Sequence, residues 1–95
     1  MNVALDWDDT YTRDPQMWND IIGVMQQNGH NVYCVTVRAP AEGRAVKEAL
    51  ESRVDGIFFT ARRAKRDFMN SRGINIDVWI DDSPAFVLMD AANAA

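Results

Sequence analysis

The sequence has very few of the residues that build disulfides, zinc sites or membrane spans. It contains one cysteine, Cys34, and one histidine, His30, in 95 residues. A single cysteine cannot form an internal disulfide, and a lone histidine gives no support for a metal site. No apolar run approaches the roughly 18–20 residues needed to cross a bilayer. Because no signal-like segment precedes the first apolar run, we expect a cytoplasmic protein with no membrane partner.

An excess of basic charge is also missing. Ten lysines and arginines stand against 14 acids, which gives a net charge of −4 and a pI near 4.7. This balance argues against a general nucleic-acid binder but leaves room for a locally basic site. The apolar content of 47% and charged content of 25% are ordinary for a globular protein, and the length predicts one domain over residues 1–95.

Strand-like and helix-like patterns alternate along the chain. The predicted strands lie at about 3–5, 31–37, 54–60 and 76–80. The predicted helices span about 15–28, a stretch opened by Pro40, about 62–72, and a last segment after Ser83-Pro84. Asp14 and Ser83 are expected to be N-caps, and the alanine-rich tail from Ala91 is expected to fray. Helical connections imply a parallel sheet of about four strands with helices on both faces, a three-layer α/β/α Rossmann-like fold.

Acidic residues follow the first and the last predicted strand. The first strand runs into Asp6, Asp8 and Asp9, and the fourth ends in Asp81-Asp82. Carboxylates at the end of a buried strand are costly, because like charges repel and burial removes their water. A divalent cation such as Mg²⁺, or a lysine or arginine, should compensate. A solvated turn with a helix cap is the alternative for the first group, but it leaves the second pair unexplained.

The other strand ends also carry polar groups. Thr36 and Arg38 follow the second strand, Thr60 follows the third, and Lys65 lies near the start of the third helix. Ligands of open parallel sheets bind at the carboxyl ends of the strands. Carboxylates, a metal, a hydroxyl donor and a lysine in one place are typical of phosphoryl transfer.

Two interpretations stay open around this site. Arg62, Arg63 and Arg66 surround Lys65; they could form a solvated helix face or recognise extra phosphates of a substrate, and Arg62 or Arg63 could replace Lys65. Trp7 could pack in the core or stack on a base or sugar beside the site. Cys34, between apolar neighbours, is expected to be a core residue.

These residues resemble the motifs of the haloacid dehalogenase superfamily of phosphohydrolases. Leu5-Asp6-Trp7-Asp8-Asp9-Thr10 is similar to its first motif, DxDxT after an apolar strand. Val35-Thr36 is similar to the second motif, Lys65 suits the third, and Val78-Trp79-Ile80-Asp81-Asp82 is similar to the fourth. The four motifs occur in the family's order and span nearly the whole chain.

The resemblance implies a role for each residue. Asp6 would be the nucleophile that forms an aspartyl-phosphate, and Asp8 would protonate the leaving group and then activate water. Mg²⁺ would be held by the Asp6 side chain, the Asp8 backbone carbonyl and Asp81, with Asp82 in support. Thr36 would hydrogen-bond the phosphoryl oxygens, and Lys65 would pair with the nucleophile and the phosphate. The implied activity is a Mg²⁺-dependent phosphomonoesterase, a phosphatase.

The chain has no room for the cap domain that most members of the superfamily carry. An open site suits a large phosphorylated substrate, such as a nucleotide, a polynucleotide end or a phosphorylated macromolecule, or a homo-oligomer in which a second copy covers the site. Two alternatives have other functions: a receiver-like phospho-aspartyl module and a non-catalytic binding or assembly protein with the same fold. A receiver accepts phosphate on its third strand, whereas strand three here ends in Phe59-Thr60 without an acid.

Overall fold

A computed structural model of the chain describes residues 1–91. Strands and α-helices alternate in the order β1 (Asn2–Leu5), α1 (Pro15–Gln27), β2 (Asn31–Thr36), α2 (Arg44–Leu50), β3 (Gly56–Phe59), α3 (Lys65–Ser71), β4 (Val78–Ile80) and α4 (Ala85–Leu88). Short 3₁₀ turns at Tyr11–Arg13 and Pro40–Glu42 precede α1 and α2. Over the described residues no helix is both long enough and apolar enough to span a membrane.

The four strands form one parallel sheet in the order β3-β2-β1-β4. The predicted α/β class and the parallel sheet are therefore confirmed. Leu5 of β1 pairs with Cys34 on one side and with Ile80 on the other. The first and fourth strands are thus neighbours, and the two acidic segments that follow them begin at the same edge of the sheet.

Alternate residues of the strands enter two separate apolar clusters. The larger cluster contains Leu5 and Cys34 from the strands together with side chains of α1 and α2, including Ile22, Val46 and Leu50. The smaller cluster collects the residues that alternate with these along β1 and β2, together with side chains of α3: Ala4, Val35, Phe68 and Met69. Both faces of the sheet therefore bury apolar side chains.

Several predicted boundaries are wrong by a few residues. Pro40 opens only the 3₁₀ turn, and α2 begins at Arg44. The third helix begins at Lys65 rather than near residue 62, because Ala61 and Arg62 have left-handed φ angles of 51° and 71°. Strand β4 begins at Val78, two residues later than expected.

One of the two predicted caps is confirmed. The Asp14 carboxylate accepts a hydrogen bond from the Met17 amide at the start of α1. Ser83 does not cap α4: the N-cap position is Pro84, and the Ser83 hydroxyl lies next to Asp82 instead. The expected fraying from Ala91 is wrong for Ala91 itself, which is buried and donates its amide to the Arg62 carbonyl. The rest of that tail, residues 92–95, lies outside the described residues.

Candidate active site

The ends of β1 and β4 bring their acidic residues together. Asp6 directly follows β1, and its amide donates to the Ile80 carbonyl at the end of β4 over 3.0 Å. Asp81 and Asp82 are the next two residues of the chain after Ile80. Carboxylate oxygens of Asp6, Asp81 and Asp82 all lie within 4.8 Å of one another. Two acidic segments 75 positions apart in the sequence therefore form one cluster.

Lys65 supplies the positive charge that this cluster requires. It is the first residue of α3, and its side chain is only 2% exposed. Its Nζ donates to Asp6 Oδ1 over 2.8 Å and to Asp81 Oδ2 over 2.5 Å. Buried charges are tolerated when they are paired and hydrogen-bonded. The ammonium group therefore joins β1, β4 and α3 at one point.

Thr10 connects the same two strand ends on another side. Its hydroxyl oxygen lies 3.3 Å from Asp6 Oδ2 and 3.1 Å from Asp82 Oδ1, and it accepts the Asp82 amide over 3.2 Å. Residues 7–10 form a turn, with Asp9 in the left-handed region at φ 60°. Trp7 is the first residue of this turn, and its ring stacks on the Tyr11 ring with 5.0 Å between the ring centroids.

The turn also answers the question about Trp7. The side chain is 7% exposed and belongs to the larger apolar cluster, so Trp7 is a core residue. Strand β1 ends at Leu5, and the turn over residues 7–10 brings Asp8 to the site.

Burial dominates the ionisation of Asp6. It raises the pKa of the Asp6 carboxyl to about 7, although the charge and hydrogen bond of Lys65 act in the opposite direction. At Asp82 burial also favours a higher pKa, but hydrogen bonding with Asp6 and Thr10 outweighs it and the pKa is lowered. In the metal-free protein the nucleophile candidate therefore titrates near neutrality, and a cation at the cluster would favour its ionised form.

The donor set of the cluster fits magnesium. Three carboxylates offer hard oxygen ligands, and Mg²⁺ prefers such ligands to nitrogen or sulfur. Asp6 is buried, Asp81 is partly buried and Asp82 is exposed, so the cluster faces solvent on one side. The Asp8 carboxylate is not part of this cluster; a contribution from its backbone carbonyl stays a prediction.

Asp8 has a different cationic partner. Arg38, two residues after β2, donates from Nε to Asp8 Oδ2 over 3.0 Å and from Nη2 to Asp8 Oδ1 over 2.7 Å. This pairing raises the pKa of the Arg38 guanidinium. Asp6 and Asp8 thus have separate cationic partners, Lys65 and Arg38.

Thr36 occupies the end of β2, as expected, but it is fully buried. Its hydroxyl accepts the Arg38 amide over 3.3 Å. Among the described residues, Thr36 is not part of the lining of the pocket at the acidic cluster. Its expected hydrogen bond to a phosphoryl oxygen stays a prediction, and in the structure it supports the segment that carries Arg38.

The basic residues around Lys65 differ in their contacts and exposure. Arg62 pairs with Glu42 and donates to the Val37 carbonyl, whereas Arg63 and Arg66 are exposed. Arg63 also lies 5.7 Å from the Phe68 ring. Lys65 is therefore the basic residue at the acidic cluster, and the alternative assignment to Arg62 or Arg63 is not supported by their positions.

Two concave regions meet at Asp8. A pocket of about 130 Å³ lies at the acidic cluster. Its lining is Asp6, Asp8, Asp9, Val37, Lys65, Asp81, Asp82, Ser83 and Phe86. A wider cleft of about 510 Å³ lies beside it. The cleft is lined by Asp8, Val37, Arg38, Glu42, Arg62, Phe86 and Ala91. Asp8, Val37 and Phe86 border both, and we call the larger region the Arg38 cleft.

The roles of Arg38 and Phe86 were not predictable from the motifs. The only signal for Arg38 was its position after β2, the neighbour of β1, and Phe86 lies in α4, outside the four motifs. Cys34 is fully buried, and burial raises the pKa of its thiol to about 12, as expected for a core residue without nucleophilic function.

Comparison with known proteins gives no further guide to function: none of the protein-family models, curated proteins or solved structures searched matches the chain. The arrangement of the site is therefore the basis on which a function can be assigned. It offers a lysine-paired carboxylate, a group of oxygen ligands, and a second carboxylate between a small pocket and a larger cleft.

Proposed function

We propose that the protein is a Mg²⁺-dependent phosphomonoesterase that works through a phosphorylated Asp6. The observation that carries this proposal is the position of Lys65 Nζ, 2.8 Å from Asp6 Oδ1 and 2.5 Å from Asp81 Oδ2. A cation fixed against a buried carboxylate would hold a phosphoryl group close to its nucleophile.

The covalent step uses Asp6 and Asp8. An ionised Asp6 oxygen attacks phosphorus while the bond from phosphorus to the leaving oxygen breaks. Asp8, which must carry a proton when this step begins, donates it to that oxygen. In the second step Asp8 removes a proton from water, whose oxygen attacks phosphorus and releases Asp6 and phosphate. Throughout, Lys65 offsets the negative charge on Asp6 and on the phosphoryl oxygens.

The side chains of Asp6, Asp81 and Asp82 would hold the metal ion. When bound, Mg²⁺ would neutralise charge on the phosphoryl oxygens and lower the barrier to attack by an anion. The Thr10 hydroxyl, in contact with both Asp6 and Asp82, keeps these carboxylates oriented.

The same proposal includes a three-layer α/β/α fold of the haloacid dehalogenase type without a cap domain. Apolar clusters on both faces of the sheet support three layers. The strand order β3-β2-β1-β4 agrees with the first four positions of the Rossmann order, 3-2-1-4, whereas receiver domains follow 2-1-3-4-5. The receiver-like alternative is therefore the weaker one on sheet order as well as on the missing acid of strand three.

The substrate we propose is a phosphomonoester whose leaving group occupies the Arg38 cleft. At about 510 Å³ the cleft falls within the range of small-molecule sites, which is roughly 300–1,000 Å³. The candidate substrates are nucleotides, polynucleotide ends and phosphorylated macromolecules. A second copy of the chain that covers the open site is a candidate partner.

The test is phosphate release from a panel of phosphomonoesters with and without Mg²⁺. The panel contains p-nitrophenyl phosphate, nucleotides, sugar phosphates and end-phosphorylated oligonucleotides. Asp6→Asn, which keeps the shape of the side chain, should abolish release, while Asp20→Asn on the exposed surface of α1 should leave it unchanged. Mass spectrometry of acid-quenched wild-type protein should detect a phosphoryl group that Asp6→Asn cannot carry.

Each competing function gives a different result. A receiver-like module would retain its phosphoryl group for long periods without turnover. A binding or assembly protein would neither release phosphate from the substrates nor become phosphorylated, although it could still bind Mg²⁺. Full activity in a folded Asp6→Asn variant would exclude the covalent mechanism.

A further inference from the structure

We infer that Arg38 is a positioning residue for Asp8, fixing the Asp8 carboxylate at the boundary between the small pocket and the Arg38 cleft. This inference rests on the proposed function, because it assigns Arg38 a part in protonation of the leaving group. Arg38 lies outside the four motifs, and its contact with Asp8 depends on two loops that follow different strands.

The contact between the two side chains is bidentate. Arg38 Nε lies 3.0 Å from Asp8 Oδ2, and Arg38 Nη2 lies 2.7 Å from Asp8 Oδ1. Two parallel hydrogen bonds from a planar guanidinium fix both the position and the plane of a carboxylate. A lysine would supply a similar charge but could not fix that plane.

The guanidinium is itself held from its other side. Arg38 Nη1 donates to the Glu42 carbonyl over 3.0 Å, and the Arg38 amide donates to the Thr36 hydroxyl. The Glu42 carboxylate in turn accepts the Ala39 amide over 2.7 Å, which closes the loop that carries Arg38. An arginine anchored in this way cannot swing freely and can therefore transmit its orientation to Asp8.

A second loop supports the first one. The amides of Ala61 and Arg62 donate to the carbonyls of Arg38 and Val37, and the Arg62 guanidinium pairs with Glu42. Ala61 and Arg62 adopt left-handed φ angles of 51° and 71°, which side chains disfavour. Such backbone strain persists only where surrounding contacts maintain it. The loop after β3 is thus held in an unfavourable conformation that supports the Arg38 loop.

Charge balance argues against a direct role for Arg38 in binding phosphate. In the cleft, Arg38 is paired with Asp8 and Arg62 with Glu42, so the charges of the four side chains cancel. Three of the five N–H donors of the Arg38 guanidinium are already used by Asp8 and the Glu42 carbonyl, and the Asp8 carboxylate balances its charge. Lys65, by contrast, lies among Asp6 and Asp81, where the proposed phosphoryl transfer takes place.

Pairing with Arg38 leaves room on the Asp8 carboxylate for a proton, which Asp8 must carry before it can donate to the leaving oxygen. Each carboxylate oxygen has two lone pairs, and Arg38 occupies one on each oxygen. Asp8 lines both the pocket that contains Asp6 and the cleft proposed for the leaving group. Asp8 therefore lies at the boundary between the regions proposed for the phosphoryl group and for the leaving group.

The test compares two substrates whose leaving groups differ in their need for a proton. p-Nitrophenolate departs unprotonated, whereas the alkoxide of glycerol 2-phosphate needs a proton from Asp8. Because a small misplacement of a catalytic group can cost about a hundredfold, we expect Arg38→Met to lower kcat/KM for glycerol 2-phosphate by about that factor. The loss for p-nitrophenyl phosphate should be only a few-fold, and Arg38→Lys should recover little of the difference.

Three controls separate positioning from other roles. Arg44→Met removes an exposed arginine that pairs with Glu48, and it should leave both substrates unaffected. Inhibition by inorganic phosphate should change less than about twofold in Arg38→Met, because Arg38 does not contact the phosphoryl group. In the Asp8→Asn background Arg38→Met should add little, since residues that act as a unit are not additive.

Each result has one interpretation. Equal losses on both substrates with weakened phosphate inhibition would mean that Arg38 touches the phosphoryl group. No loss on either substrate would mean that Arg38 forms an ordinary surface ion pair with Asp8. Either outcome would overturn this inference but not the proposed function. Wild-type protein that releases no phosphate from these two substrates or from any other phosphomonoester of the panel would overturn the proposed function, and this inference with it. Melting curves establish beforehand that the Arg38 variants are folded.

Discussion

Replacing Lys65 by methionine removes the cation between Asp6 and Asp81 and keeps most of the side-chain volume. The side chains of Lys65, Asp6 and Asp81 are 2%, 8% and 3% exposed, so water cannot readily replace the lost charge. Breaking a buried ion pair by removing one partner costs about 3–5 kcal/mol. We therefore expect Lys65→Met to reduce the free energy of unfolding strongly in metal-free buffer.

The loss should depend on pH in a defined direction. The pKa of Asp6 is already about 7, and loss of Lys65 removes an interaction that lowers it. At pH 6 Asp6 can take up a proton, which relieves its repulsion with Asp81. At pH 8 protonation is less favourable, so we expect a loss of about 3 kcal/mol, which corresponds to a fall in Tm of about 12–24 °C for a domain of this size.

The assay is thermal and urea unfolding followed by circular dichroism, with EDTA, at pH 6 and pH 8. Lys47→Met is the matched control, because Lys47 is exposed on α2 and should have little effect on stability. Adding Asp81→Asn to Lys65→Met should restore part of the loss at pH 8. Equal stability of Lys65→Met and wild type at pH 8, or a further loss on adding Asp81→Asn, would refute the charge-compensation reasoning.

Three further predictions follow from the same structure. Mg²⁺ should raise Tm in wild-type protein and not in Asp81→Ala, measured by thermal melts with and without EDTA, because a ligand bound only by the native state stabilises it. In metal-free buffer the Asp6 contribution to stability, present in full below pH 3.8, should be lost as pH rises to about 7, and Asp6→Asn should flatten that part of the stability–pH curve. Asp14→Ala removes the N-cap of α1 and should cost about 1 kcal/mol in urea unfolding, whereas Asp20→Ala on the same helix should cost less.

The positions of the acids were predictable because they depend only on chain order and sheet rules. Parallel strands end at one edge of the sheet, so acids that follow β1 and β4 must lie at that edge. Lys65 was also expected at this edge, because it lies at the start of α3. What had to be assumed was that β1 and β4 are neighbours, and the pairing of Leu5 with Ile80 settles it.

The features that escaped prediction depend on contacts between loops. Ala61 and Arg62 have no intrinsic preference for positive φ, so nothing in their residue types indicated that the third helix begins at Lys65 rather than near residue 62. Their amides bond to the carbonyls of the Arg38 loop, and these tertiary contacts override local preference. The pairing of Arg38 with Asp8 has the same origin, because it needs both the sheet order and the conformation of a particular loop.

Sheet order also explains how two carboxylates only two residues apart could have the different tasks that we propose for them. β1 lies between β4 and β2, so the turn after it has polar neighbours on both sides. On the β4 side Asp6 meets Lys65, and on the β2 side Asp8 meets Arg38. Separate cationic partners allow each carboxylate to be oriented independently of the other. A nucleophile and a proton donor need that independence, since one must attack phosphorus while the other reaches the leaving oxygen.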